Sequence, residues 1–148
     1  MEAVHKLACD KAGCSLVFGL DANTYEKAKP GKTQGVVEFG KDFVSKGYSS
    51  CWGDAPDPTN HTTFNARTYL QPQLQKAAKN TELVGKGDKN PKDHLLFPKT
   101  AFTVASVAKD NTGERSYTED MVFPTMSFPS DHGIVCTVLD HITPAPTA

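Results

Sequence analysis

Four stretches of the 148-residue chain carry side chains that could do acid–base or metal chemistry: FGLDANT, HTTFNAR, KDHLLF and FPSDHGIVCTVL. Asp21 and Asn23 follow one apolar run, Asp93 opens a second, and Ser130, Asp131 and His132 stand directly before a third. Each acid thus abuts a strand-like segment, where a rigid backbone can aim it and a loop can admit a ligand. Acids and an imidazole brought to one point would make a divalent-metal site with a general acid or base. Carboxylate and amide oxygens suit a hard ion, Mg²⁺ or Mn²⁺. Such an ion offsets charge on a phosphoryl oxygen while an Asp activates water.

Taken singly, each piece has a plainer reading. Asp-x-Asn after a strand is ordinary turn chemistry, because both side chains bond their own backbone. Asp93 could cap a turn, and Ser130-Asp131 could be punctuation before a strand. DANTYEKAKPGK is not an EF-hand loop, since Glu26 stands where the sharp-turn glycine is required. Arg67 and Asn65 could line a phosphate pocket or lie on the surface. Trp52 reads as core or a packing lid, and His61 and His94 as solvent or turn residues.

The elements that must position these groups are legible in the hydropathy. CSLVFGL, residues 14–20, is a continuous apolar run of the kind buried on both faces. VVEFGKDFVSKGY predicts a helix with Val36, Phe39, Phe43 and Val44 on one stripe and Gly47 as its stop. Tyr48 to Trp52, Thr62 to Asn65, HLLFPK, AFTVASVAK and GIVCTVLDHI read as strands or extended segments. GDAPDPTN, GKGDKNPKD and Lys109 to Glu114 read as loops and turns. Val4, Leu7 and Ala8 fall on one helical face that Gly13 would end, and another helix would begin near Pro72. Strands joined partly by helices and partly by hairpins imply mixed α/β layers.

Composition bounds the rest. A net charge of −1 with 38% hydrophobic and 22% charged residues suits one folded domain, expected over 1–142 with a frayed tail at 143–148. Near-neutrality argues against a general coat for nucleic acid, and a bidentate grip on a phosphate would use Arg67, Arg115 or backbone N–H groups. Cys9, Cys14, Cys51 and Cys136 contain no Cys-x-x-Cys pair, so buried thiols in a reduced compartment are expected rather than a zinc knuckle. No segment reads as membrane-spanning or as a signal peptide, which gives an intracellular expectation, cytoplasmic or nuclear.

In order, the four stretches resemble the C-terminal half of the endonuclease/exonuclease/phosphatase (DNase I-like) superfamily. GLDAN is a variant of the family's G-D-x-N, and S-D-H before a closing strand is its most diagnostic element. The resemblance implies an α/β (α+β) fold, a DNase I-like β-sandwich flanked by helices with only the C-terminal half present. It also implies a Mg²⁺- or Mn²⁺-dependent phosphoesterase. Asp21 would orient or deprotonate the attacking water, and Asn23 would bind the scissile phosphate. His132 would stabilise the transition state, with Asp93 as its orienting acid. Asp131, with Asp21, would serve the metal, and Arg67 would contact substrate. The family's principal metal-binding glutamate precedes the D-x-N strand; Glu38, Glu82 and Glu114 stand in other settings. The expected partners are therefore a phosphate-ester substrate and an N-terminal half-domain. The alternative is an inactive fragment or pseudoenzyme half that acts only with that partner half.

Overall fold

In the computed structural model, which describes residues 3, 6, 14–65, 88–121, 123–125 and 127–143, most of the apolar stretches form strands, and one stretch forms a ten-residue helix. The strands are β1 (Phe18–Asp21), β2 (Tyr48–Ser50), β3 (Thr63–Asn65), β4 (Asp88–Asn90), β5 (Asp93–Pro98), β6 (Phe102–Asp110) and β7 (Ile134–His141). Helix α1 (Val36–Ser45) lies between β1 and β2. Among the described residues the named strands pair antiparallel, in three sheets ordered β1-β5-β2, β3-β4 and β6-β7. The described chain is thus of mixed α+β type with strands dominating. The expected N-terminal helix with Gly13, the helix near Pro72, Cys9, Arg67, Glu82 and residues 144–148 lie outside the described residues. Among the described residues no helix is long and apolar enough to cross a membrane.

Helix α1 forms where the i, i+3, i+7 spacing placed it. Val36, Phe39 and Phe43 are buried, and Glu38 closes the first turn by accepting from Gly35 N–H at 3.2 Å. It stops at Gly47, whose φ of 79° favours glycine. Its apolar stripe covers one face of the β1-β5-β2 sheet. Phe39 and Phe43 pack with Tyr48 and Leu96, flanked by Phe18 and Leu20. Burying each such side chain contributes about 1.5–3 kcal/mol.

Alternation along β5 sorts its side chains. His94 and Leu96 enter the helix-covered face, whereas Asp93 and Phe97 lie on the other, where Phe97 meets Phe102 edge-on. β1 corrects an expectation. It begins only at Phe18, forms an edge of its sheet, and alternates half-buried with exposed residues rather than being buried on both faces. An antiparallel edge strand needs cover on one side only.

Two further segments depart from the sequence reading. The loop expected at GKGDKNPKD contains β4, which pairs with β3 through Thr63↔Asn90 and Asn65↔Asp88. Its pairing uses main-chain groups, which polar side chains do not advertise. The β6-β7 ribbon is long but poorly covered. Ile134 and Val138 are 50% and 56% exposed, and Val104 and Val107 each 37%. Of the cysteines expected to be buried, Cys51 is, while Cys14 and Cys136 are exposed.

Candidate active site

Asp21 and Asp93 are register partners across β1 and β5. Paired residues of antiparallel strands share a face, so two carboxylates stand opposite each other, an arrangement that is destabilising by itself. His132 lies between them. Its Nδ1 is 2.9 Å from Asp93 Oδ1 and 3.1 Å from Oδ2, and its Nε2 is 3.7 Å from Asp21 Oδ2. Ligand-type atoms of Asp21, Asp93 and His132 all lie within 4.8 Å of one another.

The segment carrying His132 is held by main-chain bonds to β3. Phe64 N–H donates to Asp131 O at 3.1 Å and Gly133 N–H donates to Thr62 O at 2.7 Å. A cluster of Phe64, Phe123 and Phe128 anchors the approach to it. Gly133 is there for space. A Cβ on it would lie 3.1 Å from Thr62 O and 3.3 Å from Asp110 O.

Thr62 completes the grip on Asp93. Its hydroxyl donates to Asp93 Oδ2 at 2.7 Å and accepts from the N–H groups of Lys92 and Asp93, both at 3.0 Å. Trp52 Nε1 donates to the Asp93 carbonyl at 2.8 Å, so the half-buried Trp52 serves as a strut for β5. The Thr of HTTF was present in the sequence as a family-like element, but its bonding to Asp93 depends on strand pairing.

Asp21 uses one oxygen locally. Asn23 N–H donates to Asp21 Oδ1 at 2.7 Å, and Asn23 adopts φ 49°. This is the Asx turn expected of D-x-N, and Asn tolerates the left-handed backbone it needs. The turn leaves Oδ2 toward His132. Turn chemistry and site geometry therefore coexist in one motif.

His94 corrects the expectation of a solvent or turn residue. It is 2% exposed, edge-on to Phe39. Its Nδ1 is 3.2 Å from Ser50 Oγ, and its Nε2 is 3.2 Å from Pro91 O and 3.4 Å from Thr24 Oγ1. Burial pushes its imidazole below the ordinary range, partly opposed by the Pro91 carbonyl and the Asp93 charge. Thr24 in turn donates to Pro91 O at 2.6 Å, which ties the Asn23 loop to the start of β5. His61 is half-buried and within 3.4 Å of Glu26.

The remaining sequence candidates are placed as follows. Asn23 sits at the rim, with Lys92 Nζ 3.4 Å from its Oδ1. Asp131 is exposed and contributes its carbonyl to β3; the close group holds Asp93 where the sequence reading had put Asp131 beside Asp21. Asn65 lies in β3, and Glu38 in α1.

A hard cation fits this donor set in a restricted way. Both Asp93 oxygens are engaged by His132 and Thr62, and Asp21 Oδ1 by Asn23, which leaves Asp21 Oδ2 as the open carboxylate oxygen among these. Mg²⁺ accepts such sites, keeping water and substrate oxygens in its other positions.

Compared with family models, curated proteins and solved structures, the chain matches none.

Proposed function

We propose that the chain carries the water-activating and transition-state-stabilising part of a divalent-metal-dependent phosphoesterase of the DNase I-like superfamily. The observation that supports it most is His132 held between Asp93 and Asp21. Asp93 holds the imidazole through Nδ1 and so directs Nε2 toward Asp21. Groups 3.7 Å apart can both reach a single water at about 2.8 Å. Asp21 Oδ2 takes a proton as the water oxygen bonds to phosphorus, and the ester P–O bond breaks. His132 stabilises the negative charge that develops on the phosphoryl oxygens. Asn23 contacts the scissile phosphate. Mg²⁺ or Mn²⁺ would be held beside Asp21 through its water shell and substrate oxygens, leaving Oδ2 to take the proton, and would neutralise charge on the phosphoryl group. Arg67 keeps its proposed role in contacting substrate. The compartment proposed is cytoplasmic or nuclear.

The test is hydrolysis of bis(p-nitrophenyl) phosphate with Mg²⁺. The expected result is metal-dependent release of nitrophenolate that His132→Ala and Asp21→Ala abolish. Turnover unaffected by either substitution would overturn the assignment.

A second reading has a specific observation behind it. The apolar exposure of β6-β7 and a metal site with one open carboxylate both fit a half-domain that works with a partner N-terminal half. In that case the chain alone is inert in the same assay. Adding an upstream half bearing a strand glutamate restores hydrolysis, again dependent on His132.

A further inference from the structure

Lys46, Lys89, Lys99 and Lys109 each lie in ion-pairing range of a carboxylate. Among the described residues Lys92 does not, nor do Lys27, Lys29, Lys32 and Lys41, but of these Lys92 has its ammonium over an aromatic ring. Its ammonium lies 5.1 Å from the centroid of the Tyr25 ring and 3.4 Å from Asn23 Oδ1. A cation over an aromatic face is held without being neutralised.

Both sides of this contact are fixed by backbone. Lys92 N–H donates to Thr62 Oγ1 at 3.0 Å, and Lys92 O accepts from Ala22 N–H at 2.8 Å, inside the Asp-x-Asn turn. Tyr25 N–H donates to Gln34 O at 3.0 Å, and Tyr25 O accepts from Val36 N–H at 2.9 Å. Orienting Asn23 Oδ1 toward the ammonium also leaves its Nδ2 without an acceptor among the described residues. An ammonium and an amide N–H₂ thus stand side by side at the rim of the Asp21–His132 pair, both with donors to spare. Such a pair suits an oxyanion.

We propose that Lys92, steadied by Tyr25, is the anion-anchoring residue of the site and takes a non-bridging oxygen of a phosphate group. This rests on the phosphoesterase reading above for its catalytic meaning, but the binding itself is measurable apart from turnover. Tyr25 acts as a positioning residue and Lys92 as a binding residue.

The experiment titrates the folded protein with inorganic phosphate, with binding read by calorimetry and thermal unfolding checked for every variant. Lys92→Met should weaken phosphate binding about tenfold, the scale of one charge-assisted hydrogen bond. Lys92→Arg should restore most of it. Tyr25→Leu should weaken it several-fold at unchanged net charge, and Tyr25→Phe should not. Lys46→Met, which removes a lysine paired with Asp42 on α1, should leave it as in wild type. Equal phosphate affinity in wild type and Lys92→Met, or no phosphate binding by wild type, overturns the proposal. Phosphate binding that depends on Lys92, in a chain that hydrolyses no ester with or without its partner half, supports the subsite while sinking the catalytic reading.

Discussion

Two facing carboxylates are tolerated here because a third residue separates them. The Asp21–Asp93 register pair would repel, and His132 gives each a partner. Asp93→Asn keeps the shape but loses the charge. It is expected to lower kcat about 10²–10⁴-fold with KM little changed, measured on the phosphodiester under conditions where wild type turns over. Gly133 is the less obvious determinant. Gly133→Ala places a methyl 3.1 Å from Thr62 O, so the segment that delivers His132 must shift. The expected cost is about 1–3 kcal/mol in urea unfolding, with a fall in kcat that exceeds any change in phosphate binding. In the sequence Gly133 reads only as the first residue of the last strand.

At the scale of elements, β5 does two jobs by alternation. Asp93 enters the site and its neighbour His94 enters the core, where it links Ser50, Pro91 and Thr24. Because burial depresses the His94 pKa below its ordinary 6.5, the folded state favours the neutral ring. Its contribution to stability is therefore complete above the unfolded value and is lost as pH falls from about 6.5 toward the depressed folded value. His94→Gln, which cannot charge, should show a smaller fall in Tm than wild type between about pH 7 and about pH 5. A variant with the same acid sensitivity as wild type would assign the effect to other groups. The helix was legible because its three-and-four spacing is local. The role of His94 was not, because a histidine beside an acid reads alike whichever face of the strand it occupies.

Over the whole molecule, cover is uneven. The β1-β5-β2 sheet has α1 on one face, while the β6-β7 ribbon carries Ile134 and Val138 half or more exposed. Substituting exposed apolar residues changes stability little, so Ile134→Lys and Val138→Lys should each alter unfolding free energy of the isolated chain by under about 0.5 kcal/mol. If a partner half packs on this ribbon, the same substitutions should abolish its restoration of hydrolysis. Loss of stability in the isolated chain would show that the ribbon is already covered.

What the sequence determined by itself was local. The helix at Val36–Ser45, the strands bearing FGLD, DHLLF and IVCTVL, and the Asp-x-Asn turn all follow from spacing and turn chemistry within a few residues. Tertiary structure decided which acids meet. Asp93 rather than Asp131 joins Asp21 because antiparallel register places it opposite, and because β3 takes the backbone of Asp131 while leaving its side chain exposed. It also decided that Lys92 stands beside Asn23, a contact across 69 positions. Register, strand order and cover are set by contacts between distant segments, and no local pattern carries them.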